Sequence, residues 1–206
     1  MSKKIYVTGI GTDVGKTVIS AIITEALTAD YWKPIQAGDV TFGDTDTVKK
    51  LISNSISKFH PNAYLLNTPM SPHAAAEIDN IVIDITTIIP PITDNTLVIE
   101  GAGGLFVPLN NSETILDTID KSYKVILVSR HYLGSINHTL MSLKILLDKG
   151  LDVSLIFNGP ENKTTEDIIL KMTGVNVIGR IDEEEKLSKE IILKYANLFR
   201  ENLQQI

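Results

Sequence analysis

A lysine and a threonine directly after a glycine can together hold a phosphate and its counter-ion. Residues 7–17 read VTGIGTDVGKT. The common phosphate loop places a glycine four residues ahead of Gly-Lys-Ser/Thr. Here that position is Ile10, flanked by Gly9 and Gly11, so the spacing is Gly, five residues, then Gly15-Lys16-Thr17. Context gives the glycines meaning: IYVTG is a buried-strand run, and GKTVISAIITEAL opens an amphipathic helix. Such a loop aims backbone N–H groups at one point, and the helix N-terminus adds partial positive charge. Lys16 then reaches terminal phosphates, and the Thr17 hydroxyl is placed to coordinate Mg²⁺. The ligand implied is a nucleotide; the loop alone leaves its chemistry open.

Other polar residues interrupt apolar runs where a site is expected, at the carboxyl ends of strands. Lys33 lies within WKPIQAG, either pointing into a site or snorkelling from a strand edge. In GDTDTVKKLI, Asp44 reads as a helix cap, whereas Asp46 could face a metal. Glu100 ends the strand-like TLVIE and is followed by Gly101, Ala102, Gly103 and Gly104. A carboxylate there suits a nucleotide's Mg²⁺, and the glycines admit close backbone approach. In SRHYLGSINHTL, Ser135 or Asn137 could cap a helix, and His138 receives no role. Four histidines and no cysteine argue against a transition-metal site.

The elements that must position these residues alternate. Apolar, β-branched runs at 4–9, 31–35, 96–101, 124–129, 152–158 and 176–181 lack polar alternation, as strands covered on both faces do. Residues 15–28 and 136–149 carry apolar side chains at helical spacing. The reading is an α/β fold: a P-loop NTPase-like parallel β-sheet with helices on both faces, one domain over 1–206. PITDNT (91–96) is expected as a loop, and DEEEK (182–186) as the first turn of the last helix.

Lys plus Arg number 19 and Asp plus Glu 25, a formal net charge of −6. Such a chain is poorly suited to holding nucleic acid. No stretch approaches the ~18 apolar residues of a membrane span. The N-terminal apolar run is too short for a signal peptide. With no cysteine to form disulfides, a soluble cytoplasmic protein is expected.

Taken in order, TGIGTDVGKT, KPIQAG, DTDT, SPHAAA, EGAGGLFVPL and LGSINHTL resemble the dethiobiotin synthetase family over most of the chain. The long-spaced loop is that family's own form. The resemblance implies an ATP- and Mg²⁺-dependent ligase that joins CO₂ to 7,8-diaminononanoate and closes a cyclic urea. It implies that Asp13, Val14, Gly15, Lys16, Thr17 and Val18 cradle ATP, and that Thr17, Asp46 and Glu100 hold Mg²⁺. Lys33 would stabilise the carbamate and the transferring phosphoryl group. Gly101, Ala102 and Gly103 would line the site, and Asn158 would read adenine. Thr12, Ala37, Ser71 and Pro72 correspond to substrate contacts, Ala37 standing where some relatives carry serine; Asp182 stands where many carry proline. Ser135, Ile136 and Asn137 would bind the substrate carboxylate of the neighbouring subunit in a homodimer. The competing reading is a partitioning or cell-division nucleotide switch of the same fold. Such switches carry an extra lysine just after the loop's first glycine, where this chain has Ile10, or Thr12 counted from Gly11.

Overall fold

In the computed structural model, which describes residues 2–206, a parallel sheet of seven strands runs in the order β4-β2-β6-β1-β7-β8-β9. Its strands are β1 (Lys4–Gly9), β2 (Asp30–Trp32), β4 (Phe59–His60), β6 (Leu97–Gly104), β7 (Lys124–Arg130), β8 (Asp152–Asn158) and β9 (Asn176–Ile181). A separate parallel pair, β3 (Ile35–Ala37) with β5 (Tyr64–Leu66), flanks it. The run expected over 31–35 thus divides at Lys33-Pro34. Proline has no N–H to donate to a ladder, and its carbonyl accepts from Ala63 and Tyr64 instead.

Strand alternation sends side chains to two cores. Ile5, Val7, Tyr31, Val98, Ile126 and Val128 face one way. They meet helices α1 (Lys16–Leu27), α2 (Asp44–Leu51) and α6 (Lys189–Gln205), through residues such as Ile19, Ile22, Val48, Tyr195 and Phe199. Tyr6, Trp32, Leu97, Ile99, Val125 and Leu127 face the other way. There they pack on α3 (Pro72–Ile78), α4 (Ser135–Asp148) and α5 (Lys163–Thr173). Apolar residues on both faces explain why these strands lack polar alternation in the sequence.

The segment DEEEK does not begin the last helix. That helix starts after Ser188, whose hydroxyl accepts from the Ile191 N–H. Glu184 is held outside it, accepting from the Tyr195 hydroxyl at 2.7 Å and from Lys194. Likewise α4 is capped by Gly134, at φ 103°, with no side-chain cap from Ser135 or Asn137. Among the described residues no helix is long and apolar enough to cross a membrane.

Candidate active site

β1 is central, with β6 on one side and β7 on the other, and the chain changes direction across it. Ligands of open parallel sheets bind at the carboxyl ends of strands at such a point. The loop after β1 occupies that place. Asp13 and Gly15 adopt positive φ, 56° and 95°. At Gly15 the positive φ would strain any side chain, and a Cβ would also displace the Asn158 amide nitrogen, 2.3 Å away. The loop is bolted from neighbouring strands: Ile10 N donates to Val128 O (3.1 Å), Arg130 to Asp13 O (3.2 Å) and Asn158 Nδ2 to Val14 O (2.8 Å).

Beyond the loop lies a cavity of about 740 Å³. Its polar wall is built by one face of the sheet. Tyr31 on β2 pairs with Val98 on β6. Alternation puts Glu100, two residues further along, on that same face, and Lys33 two residues beyond Tyr31. Thr17, in the first turn of α1, packs over them. The Thr17 hydroxyl lies 3.0 Å from both Asp44 Oδ1 and Glu100 Oε1. Lys33 Nζ bridges the two carboxylates, 2.7 Å from Asp44 Oδ2 and 3.0 Å from Glu100 Oε1, and donates to Gly101 O at 3.2 Å. The Tyr31 hydroxyl donates to Glu100 Oε2 at 2.9 Å.

Electrostatics follow from these distances. Burial opposes the charge on Lys33, but Glu100 and Asp44 more than offset it and raise its pKa above the ordinary lysine value. Burial also opposes the Asp44 charge, and Lys33 overrides it, holding that carboxyl below its usual range. Lys16 is brought down to about 8, chiefly by burial and then by the charge of Lys33. Its ammonium folds back onto Gly11 O at 2.9 Å. Burial, reinforced by the Glu100 charge, pushes the Tyr31 hydroxyl well above its usual range, so it remains a donor.

Most of the residues singled out in the sequence meet here. Thr12, Asp13, Gly15, Lys16, Thr17, Val18, Lys33, Ala37, Ser71, Pro72, Glu100, Ala102 and Gly103 line the cavity. Asp46 does not, which corrects the assignment of the two aspartates. Asp46 is exposed and returns its carboxylate to the Gly43 N–H at 3.1 Å, capping α2, while Asp44 joins the cluster. The start of α2 decides it: the third helical residue is the one whose side chain folds back onto the residue before the helix. Gln36 supports that start, accepting from Asp44 N at 3.3 Å and donating to Gly38 O. Neither Gln36 nor Tyr31 stood out in the sequence, because a polar residue inside a strand run carries no signal of its partner. Ser135, Ile136 and Asn137 sit at the start of α4, away from this cavity in the single chain. The Asn158 amide donor is spent on Val14 O, whereas its carbonyl oxygen has no donor among the described residues.

A family model described as an AAA domain matches residues 3–191. The ATP-dependent dethiobiotin synthetase BioD of Christiangramia forsetii is 58% identical over the whole of both chains. That of Cytophaga hutchinsonii is 47% identical, covering 94% of this chain and 95% of its own. The chain belongs to the dethiobiotin synthetase family. As a member it is a ligase, and the long-spaced loop and EGAGG segment that first suggested dethiobiotin synthetases lie at its cavity. Solved structures show the P-loop fold more widely. A protein described as a plasmid partition protein of Borrelia burgdorferi, bound to AMPPNP, aligns at TM-score 0.60 and 16% identity, covering 100% of this chain and 99% of its own. The MinC:MinD cell division complex of Aquifex aeolicus aligns at 0.58 and 15%, over 99% and 95%. At such identities these share with the dethiobiotin synthetases a fold and no more.

Proposed function

We propose that this chain uses ATP to join CO₂ to 7,8-diaminononanoate, giving dethiobiotin, ADP and phosphate in biotin biosynthesis. The observation that carries the reading is Lys33 held between Asp44 and Glu100, the two carboxylates that the Thr17 hydroxyl also reaches, at the mouth of a phosphate loop. One substrate amine adds to CO₂ and loses a proton, forming a carbamate. A carbamate oxygen attacks the γ-phosphorus; the bond to the β-bridging oxygen breaks and ADP leaves. The second amine then attacks the carbonyl carbon of the mixed anhydride, phosphate departs with the electron pair of the broken C–O bond, the new ammonium nitrogen gives up a proton to solvent or to the departing phosphate, and the urea ring closes.

None of these steps needs a protein nucleophile. They need anions brought together and charge neutralised. Backbone N–H groups from Asp13 to Val18 hold the phosphates, and Lys16 swings from Gly11 O to the β- and γ-oxygens. Lys33 neutralises the carbamate and the transferring phosphoryl group. Its buried position excludes water that would otherwise screen it.

Thr17, Asp44 and Glu100 suit Mg²⁺. The Thr17 hydroxyl, 3.0 Å from both Asp44 Oδ1 and Glu100 Oε1, makes with those two carboxylates a hard oxygen set that leaves positions for phosphate and water. When bound, Mg²⁺ would supply charge neutralisation on the phosphates. Gly101, Ala102, Gly103, Thr12, Ala37, Ser71 and Pro72 border the diamine. The free carbonyl oxygen of Asn158 can accept from the adenine amino group. Ser135, Ile136 and Asn137, at a helix N-terminus, suit the carboxylate of a diamine bound by the other subunit of a cytoplasmic homodimer.

The test is ADP release by the purified protein with ATP and Mg²⁺, with and without diamine and bicarbonate, reading product mass in parallel. ADP appearing only with both co-substrates, together with the cyclic urea, supports the ligase. Hydrolysis regardless of co-substrates, with no urea formed, replaces it with a nucleotide switch.

A further inference from the structure

We infer that Tyr31 is a positioning residue for Glu100: its hydroxyl, 2.9 Å from Glu100 Oε2, fixes the carboxylate so that Oε1 alone is presented to Thr17, Lys33 and the nucleotide's metal. The inference rests on the reading of Glu100 as a metal-holding carboxylate.

Glu100 is 1% exposed, so no bulk water competes for its oxygens. Oε1 accepts from Thr17 and Lys33, both at 3.0 Å. Oε2 has one protein donor among the described residues, the Tyr31 hydroxyl. A carboxylate turns freely about its terminal bond unless both oxygens are held. Thr17 and Lys33 hold Oε1 from the cavity side, and both are groups that ATP and substrate will engage. Tyr31 alone holds the carboxylate from the protein side, and keeps holding it when they are drawn away. Tyr31 is itself immobile: it is 0% exposed, its ring packs on Phe59 with centroids 6.0 Å apart, and its N–H donates to Lys58 O at 2.9 Å. Partners of this kind, one shell behind the ligating atom, change metal affinity or activity about 10–100-fold when removed.

The experiment compares Tyr31→Phe, Glu100→Gln, the double variant and Phe59→Leu in the full chain. Calorimetry measures how much Mg²⁺ strengthens ADP binding, alongside kcat and KM. Tyr31→Phe is expected to cut the Mg²⁺-dependent gain about 10-fold and to lower kcat, while ADP affinity without Mg²⁺ and the diamine KM stay near wild type. The double variant is expected to be no worse than Glu100→Gln. Phe59→Leu, which loosens the ring but keeps the hydroxyl, is expected to retain the gain. A Tyr31→Phe protein with the full gain beside an impaired Glu100→Gln overturns the Tyr31 role alone. So does a double variant in which the two losses multiply. Glu100→Gln with the full gain removes Glu100 from the metal, and the positioning role with it. Should Tyr31→Phe fail to fold, a folded double variant places the defect in the bare carboxylate and supports the role; a double that also fails makes Tyr31 a packing residue.

Discussion

Lys33 is 4% exposed yet charged, a condition that holds only because two carboxylates face it. Lys33→Gln removes the charge and keeps much of the volume. Ligation is expected to fall about 10²–10³-fold, with ADP binding mostly retained; wild-type ligation rates would take Lys33 out of the mechanism. The aspartates offer a sharper contrast. Asp44→Asn loses the ion pair to Lys33 and is expected to lower kcat about 10–100-fold. Asp46→Asn keeps an oxygen to accept from Gly43 N but loses the negative charge in the first turn of α2, costing about 0.5 kcal/mol in urea unfolding with kcat little changed. The reverse pattern would restore Asp46 to the metal. Residue types at the site were legible: Lys16, Thr17, Lys33 and Glu100 each interrupt or end an apolar run. Which aspartate faces inward was not, because that depends on a helix start fixed by Gln36 and Gly43 through three-dimensional contacts.

At the scale of elements, β2 is anchored at both ends by polar groups. Its far end carries Lys33; its near end carries Asp30, 1% exposed. Asp30 accepts from Lys58 N at 3.0 Å, Thr93 at 2.7 Å and Asn95 at 3.2 Å, with His60 at 3.4 Å. Burial opposes its charge, and these donors more than compensate, so its pKa lies below the ordinary value of 3.8. A depressed carboxyl contributes stability above its unfolded pKa and loses it as pH falls through the folded one. Asp30→Asn is therefore expected to cost about 2 kcal/mol at pH 7 and progressively less below pH 3.8. Urea midpoints at pH 7 and pH 3 check this, and an equal cost at both would deny the carboxylate any part. Strands buried on both faces were the most legible elements: 4–9, 152–158 and 176–181 coincide with β1, β8 and β9. The short β4 and β5 are not legible in the sequence, because two or three residues carry no periodicity. The acidic run 182–186 suits a first helical turn, yet the last helix is capped at Ser188, six residues beyond Asp182.

For the whole molecule, the single chain leaves one part of the proposed chemistry unplaced. The residues assigned to the substrate carboxylate lie at the start of α4, and the side chains beside them are apolar and bare. Leu133 is fully exposed, and Phe106 and Met141 more than half so. Phe106 and Met141, together with Val107 and Ile145, border a second cavity of about 380 Å³ between the 104–108 segment and α4. Thr12 lines both this cavity and the first, so a subunit docked here would meet the edge of the active site. Exposed apolar surface of this kind marks an interface more often than chance allows. In the proposed homodimer, Leu133→Asp would bury an unpaired carboxylate at the contact. The expected result is a monomer by light scattering and a diamine KM raised about 10-fold or more, as loss of a buried apolar anchor does. MgADP affinity, which the proposed function places on Lys16, Thr17 and the loop within one chain, should stay close to wild type. A Leu133→Asp monomer that keeps its diamine KM would mean that each subunit binds the whole substrate alone.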